Sequence, residues 1–261
     1  MNDVDHSSAR RALSLLNPRK TYHRATIVGA DRIPASGGCV IVSNHGRLDF
    51  DSFILMRLIL SERGRLPRLM ADHMWFRLPV IGRIFKTAGA LDGTPENAAC
   101  LLEKDEMVLT YPGGVREIMG SRFRQEHIDW DGRRGFARVA LEAGVPVIPI
   151  AGIGVNSGHV FLSSGRVLGE LVFQKMLRLG PDYSDYRDPL TLGILPVPLP
   201  FDLAVSFPLP CKLTYFVGKP VHPRPTGAAD TSSGAIEQFA EVVIESMMSL
   251  LREHGTLRAS T

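Results

Sequence analysis

Two short apolar runs set the tightest limit on how this chain folds. Cys39-Val40-Ile41-Val42-Ser43 and Val145-Pro146-Val147-Ile148-Pro149-Ile150 carry no charge and are rich in β-branched residues. Such runs read as strands buried on both faces, which requires helices above and below them. The rest of the chain supplies those helices. Helical patterns are expected over about 8–17, 52–63, 78–87, 96–103, 136–143 and 235–253, with Pro18 stopping the first and Gly64, Gly144 and Gly255 following later ones. Further strands are expected over 21–29, 68–71, 107–111 and 212–217. Ile33 to Gly38 reads as a turn. Strands and helices alternate, so the fold class is α/β, with a mixed, largely parallel sheet flanked by helices. No internal repeat, low-complexity tract or linker interrupts the pattern, and residues 1–261 read as a single domain.

Composition narrows the classes of function. A chain of 261 residues with 44% hydrophobic content has ample material for a core. The formal net charge of +3 does not point to nucleic acid, but it permits a basic face toward anionic head groups or a phosphorylated ligand. Cys39, Cys100 and Cys211 are far apart and lack metal-ligand spacing, so they read as reduced thiols in a cytoplasmic protein. Met1 to Lys20 lacks the apolar core of a signal peptide. The weakly charged stretch 192–210 contains Pro196, Pro198, Pro200, Pro208 and Pro210, too many for a spanning helix. Any membrane contact is expected to be peripheral.

Chemistry concentrates in two segments. In the first, Ser43-Asn44-His45-Gly46-Arg47-Leu48-Asp49-Phe50-Asp51, a histidine leaves a buried strand and is followed by carboxylates at a helix start. A histidine that removes a proton needs one tautomer and one orientation, and a carboxylate on its far nitrogen fixes both. Either Asp49 or Asp51 suits that role, and the other would cap the helix; as a bare pattern, a loop histidine beside a helix cap fits equally. In the second segment, Tyr111-Pro112-Gly113-Gly114-Val115-Arg116-Glu117, a strand runs into a glycine turn. Backbone N–H groups of Gly113 and Gly114, with Arg116, suit a phosphate or a developing oxyanion. An ordinary turn with a surface Arg116–Glu117 pair is the plainer alternative. Arg133 and Arg134 precede the helix at Phe136 and form either a second anion contact or a solvated basic turn. His73, His127 and His159 have no convincing carboxylate or metal partner in the spacing, and Ser164 is not set in a nucleophile elbow.

In their order along the chain, these segments resemble the motifs of the glycerolipid acyltransferase superfamily. Asn44-His45 with a following aspartate resembles the first motif. Gly82 to Asn97 is similar to the second region, and Tyr111 to Glu117 resembles the third in the Pro-Gly-Gly form of the diacylglycerol-acyltransferase-like branch. Gly135-Phe136-Ala137-Arg138-Val139-Ala140 with Val145 to Pro149 is similar to the fourth. The resemblance covers about residues 22–220. It implies a glycerolipid acyltransferase-like fold and a fatty acyl transfer from acyl-CoA or acyl carrier protein to a membrane lipid hydroxyl, as in lipid and phospholipid biosynthesis. His45 would be the general base, with Asn44, Gly113, Gly114, Arg116 and Arg133 contacting substrate, and neither a metal, a cofactor nor an acyl-enzyme would be needed.

Two departures carry information. Five residues separate His45 from Asp51, the spacing of the branch whose motif begins His-Gly, so the resemblance favours Asp51 as the orienting carboxylate. Gly113 stands where phosphatidate-forming members carry glutamate, which weakens the case for a glycerol-phosphate acceptor, while Arg116 keeps a phosphate contact open. The acceptor stays open among lysophospholipid, monoacylglycerol, diacylglycerol and glycolipid.

Residues 166–179 repeat polar side chains at Arg166, Glu170, Gln174 and Arg178 within an otherwise largely apolar stretch. With 192–210 this segment is expected to form a membrane-docking or acyl-chain patch, unless it packs on the sheet. A thioesterase or lipid hydrolase using His45 and water, and a non-catalytic peripheral lipid-binding protein, are the competing readings.

Overall fold

The computed structural model describes residues 6–14, 24–46, 51–77, 79–114, 117, 128, 130, 132–155, 212–223 and 231–255. Within them lies a seven-stranded sheet built from β1 (Thr26–Val28), β2 (Cys39–Ser43), β3 (Pro67–Ala71), β4 (Leu91–Asp92), β5 (Met107–Thr110), β6 (Val147–Ile153) and β7 (Thr214–Val217). Their spatial order is β1-β7-β6-β2-β5-β3-β4. Every neighbouring pair is parallel except β6 with β7. The mixed, largely parallel sheet expected from the sequence is therefore present, and β2 lies at its centre.

Seven helices among the described residues cover it: α1 (His6–Ser14), α2 (Asp51–Arg63), α3 (His73–Arg77), α4 (Pro79–Thr87), α5 (Pro95–Leu102), α6 (Gly135–Ala143) and α7 (Ser233–Gly255). The period-2 alternation of the strands divides the core in two. Cys39, Ile41, Met107, Leu109, Ile148 and Ile150 face α1, α2 and α4. Val40, Val42, Val108, Val147 and Ala151 face α5, α6 and α7. Helix α2 is apolar on nearly all sides because it lies between the sheet and α1, whose Ala9 and Leu13 are buried with it. Local signals set the helix ends. Thr94 caps α5, its hydroxyl accepting from the Asn97 N–H at 3.2 Å with Pro95 in the first turn. Gly144 ends α6 at φ 65°, a left-handed conformation that suits glycine.

Several expected elements differ in extent. The strand expected over 21–29 is Thr26–Val28 in the described residues, and a 3-10 turn follows at Ala30–Arg32. The helix expected over 78–87 is preceded by a separate one, α3, with Pro79 opening α4. The two-residue β4 is too short to leave a periodic signal. The strand expected from Val145 begins at Val147 and runs on to Ile153. Residues 166–179 and 192–210 lie outside the described residues, as do Asp49, Arg116, His127, His159 and Cys211.

Candidate active site

The sheet order creates a place for chemistry. From β2 the chain leaves through α2 on one face of the sheet and travels to β3 on one side. From neighbouring β5 it proceeds to α6 on the opposite face and travels to β6 on the other side. Where neighbouring parallel strands send their connections to opposite faces, α/β sheets characteristically keep a crevice for ligands beyond the strands' carboxyl ends. His45 lies two residues past the end of β2 and Tyr111-Pro112-Gly113-Gly114 follows β5, so both segments singled out from the sequence meet at that crevice.

His45 is held from three directions. Its ring lies against Tyr111, with centroids 4.5 Å apart and planes tilted by 34°. Its Nδ1 is 3.9 Å from Asp51 Oδ1. Behind it, Gly46 permits close passage of the chain, since a Cβ there would lie 2.5 Å from the Val155 Cβ and 3.0 Å from Asp51 Oδ2. Asp51 stands in the first turn of α2, where the helix dipole favours negative charge. Its Oδ2 accepts from the Gly46 N–H at 3.0 Å, and its main-chain carbonyl accepts from the Tyr215 hydroxyl at 3.1 Å. The structure thus brings together the pair separated by five residues.

Burial sets the electrostatics. The His45 side chain is 16% exposed and that of Asp51 fully buried. Burial pushes the imidazole pKa down from 6.5 to about 4, against a smaller upward effect of the neighbouring Gly46 backbone. The imidazole is therefore neutral and ready to accept a proton near pH 7. That shift corresponds to roughly 3 kcal/mol against the imidazolium. Two unit charges about 4 Å apart attract by roughly 4 kcal/mol at an effective dielectric near 20, so Asp51 is close enough to offset the cost once the proton arrives. Burial also holds the Tyr111 phenol well above its usual value, assisted by the charges of Asp51, Tyr215 and Glu117.

Asn44 is fastened at both ends. Its side-chain nitrogen donates to the Gly152 carbonyl at 3.0 Å and its side-chain oxygen accepts from the Gly152 N–H at 2.7 Å. The amide thereby ties the loop after β2, which carries His45, to β6. The Pro-Gly-Gly turn is closed internally. The Gly114 N–H donates to the Tyr111 carbonyl at 3.0 Å. Gly113 leaves room for the Glu117 side chain, which occupies the space where a Cβ would stand. Glu117 is buried, not half of a surface pair.

The two arginines separate. Arg134 binds Glu237 in a forked pair, 2.8 Å at its shortest, and reaches Glu241 at 2.9 Å, fastening α6 to α7. Arg133 turns to the glycine turn, and a Cβ on Gly114 would lie 2.7 Å from its Nη1. Its guanidinium is exposed beside the crevice, a placement suited to an anionic group. Away from the site, burial pushes the Cys39 thiol up to about 12, consistent with an unreactive core thiol. His73 has a carboxylate neighbour that its sequence spacing did not suggest, with Nδ1 3.4 Å from Asp72.

Tyr111 and Glu117 are the site residues that sequence reasoning passed over. The parallel register, with Val42 opposite Thr110, sets Tyr111 level with the end of β2, but that register joins segments distant in sequence. Glu117 gave a signal in retrospect, because a glycine four residues before a carboxylate leaves it room to fold inward.

A family model described as Acyltransferase matches residues 24–152, which include His45, Asp51, the glycine turn and Arg133. The chain is 31% identical over 186 residues to a human protein named "DGAT1/2-independent enzyme synthesizing storage lipids", covering 71% of this chain and 56% of that one. It is 30% identical over 202 residues to an uncharacterized Mycobacterium tuberculosis protein, covering 75% of this chain and 54% of that one. The chain spans about half the length of the curated relatives it matches. Among solved structures, the 1-acyl-sn-glycerophosphate (LPA) acyltransferase of Thermotoga maritima aligns with a TM-score of 0.48 and 16% identity over 94% of this chain and 77% of that chain.

Proposed function

The chain belongs to the glycerolipid acyltransferase superfamily, and from that premise we propose that it transfers a fatty acyl group from acyl-CoA or acyl carrier protein to a glycerolipid or lysophospholipid hydroxyl at a membrane surface. The supporting observation is the neutral, buried His45 beside Asp51 at the crevice. Its Nδ1 faces the carboxylate, so Nε2 is the nitrogen that serves the substrate. In the reaction, Nε2 takes the acceptor hydroxyl proton while the oxygen attacks the thioester carbonyl carbon. The carbonyl becomes a tetrahedral oxyanion, then reforms as the carbon–sulfur bond breaks. The departing thiolate receives the proton from His45, giving ester and thiol.

The 3.9 Å Asp51 contact is longer than a hydrogen bond and is expected to shorten as the imidazolium forms. Arg133, beside the glycine turn, is the candidate contact for phosphate on the donor or for charge developing on the carbonyl oxygen. Glycine at 113 and the storage-lipid name of the human relative favour a neutral glycerolipid acceptor over glycerol phosphate. The setting proposed is cytoplasmic and peripheral to the membrane.

The test supplies radiolabelled acyl-CoA and a panel of monoacylglycerol, diacylglycerol, lysophospholipid and glycerol phosphate. Label in an esterified lipid supports transfer and identifies the acceptor class. Release of free fatty acid without any labelled lipid assigns hydrolysis instead.

A further inference from the structure

Helices α3 and α4 form a hairpin whose inner and outer surfaces differ in chemistry. Inside, Phe85 meets Phe53 of α2 edge-on at 5.0 Å, stacks on Trp75 at 5.7 Å and meets Phe76 at 6.1 Å. The two helices are pressed together at Gly82, where a Cβ would lie 2.8 Å from the Phe76 carbonyl oxygen. The hairpin is thus fixed to α2 just beyond the turn that carries Asp51.

Outside, Val80 is 72% and Ile84 54% exposed. At about 100° per residue they are roughly 40° apart on the face of α4 turned away from Phe85. Val28 and Val242, the other large apolar side chains exposed among the described residues, lie singly on β1 and α7. Arg83 is exposed about 60° round the helix from Val80, Lys86 is exposed farther round on the same side, and no acidic residue occurs from His73 to Thr87. An apolar ridge with cations on one side and no anions on its element matches the junction of acyl chains and anionic head groups. Its position agrees with that use. Helix α3 begins at the carboxyl end of β3, which runs parallel to β5, so the hairpin rises from the same edge of the sheet as His45. No described helix is long and apolar enough to cross a membrane, so this contact lies at the surface.

We propose that the α3–α4 hairpin docks the protein on a bilayer bearing anionic head groups, through Val80 and Ile84 in the acyl boundary and Arg83 and Lys86 in the head-group layer, facing the crevice toward its lipid acceptor. The surface deepens the acyl-transfer reading and rests on it for the identity of the acceptor. Binding itself is measurable without turnover. Co-sedimentation with phosphatidylcholine vesicles, with and without phosphatidylglycerol, compares wild type with a Val80→Ser/Ile84→Ser variant and an Arg83→Ala/Lys86→Ala variant.

The apolar variant is expected to lose about tenfold or more in partitioning to both vesicle types. The charge variant is expected to lose roughly fivefold per cation on anionic vesicles only. Both should keep the wild-type thermal midpoint and wild-type turnover of a water-soluble short-chain donor and acceptor. Wild-type vesicle binding by the apolar variant overturns the proposal, even with acyl transfer intact. So does a change from dimer to monomer in that variant without loss of vesicle binding, which would assign the face to a second copy of the chain. Failure of all lipid acylation with vesicle binding intact refutes the transfer reading and leaves the docking surface standing.

Discussion

The two edges of the sheet handle polar groups in opposite ways. At the amino-terminal edge, Arg65 donates to the carbonyls of Pro34 at 3.0 Å and of Gly37 and Asp105 at 2.7 Å. One side chain fastens the approaches to β2, β3 and β5. At the carboxyl edge of the same strands, His45 Nδ1 and the Tyr111 hydroxyl are buried without a hydrogen-bond partner among the described residues. Buried polar atoms are usually paired, and each one left unpaired costs free energy. The first edge uses its polar groups for stability, whereas the second carries a cost that a reacting substrate is expected to offset.

That contrast is open to attack from both sides. Arg65→Ala should have the largest effect on folding, a loss of roughly 2–4 kcal/mol from three freed carbonyls, with turnover per folded molecule unchanged. Chemical denaturation beside active-site titration checks it; a matching fall in turnover would mean that the edges are not separate in function.

An intermediate effect should appear in acid. The folded His45 pKa lies near 4 and the ordinary value is 6.5. Between them the unfolded chain holds a proton that the folded chain lacks, so stability is complete above pH 6.5 and falls as pH drops toward 4. The slope approaches roughly 1.4 kcal/mol per pH unit. His45→Gln should remove that slope, which thermal unfolding across the range will show.

The smallest effect belongs to Tyr111→Phe. It removes an unpaired hydroxyl but keeps the ring against His45, so stability should hold or rise by about 1 kcal/mol. Activity should fall less than about tenfold. A fall as deep as that of a His45 variant would make the phenol itself a participant in the chemistry.

Much of the second edge was legible in the sequence because its signals are local. The β-branched run 39–43 marks a central strand, and the chain that follows must carry His45 off its end. The five-residue spacing of Asp51 places it in the next helix. Other features depend on partners distant in the chain. The tie between Asn44 and β6 leaves no local signal, because Gly152, which takes both ends of its amide, is 108 residues away in the chain. Arg134 looks equivalent to Arg133 until α7 brings Glu237 and Glu241 against it. Arg65 drew no attention, because its three acceptors are backbone carbonyls, which any residue type supplies. The division between α3 and α4 was accessible at Leu78-Pro79, where proline disfavours helix in the residue before it.

The most direct test of His45 as the base compares kcat/KM for acyl transfer between wild type and His45→Ala, with the thermal midpoint of each. Removal of the base predicts a fall of roughly 10²–10⁴ at temperatures well below the midpoint of either protein. Transfer within a few-fold of wild type, or a loss that only follows unfolding, would contradict the assignment of His45 as the base.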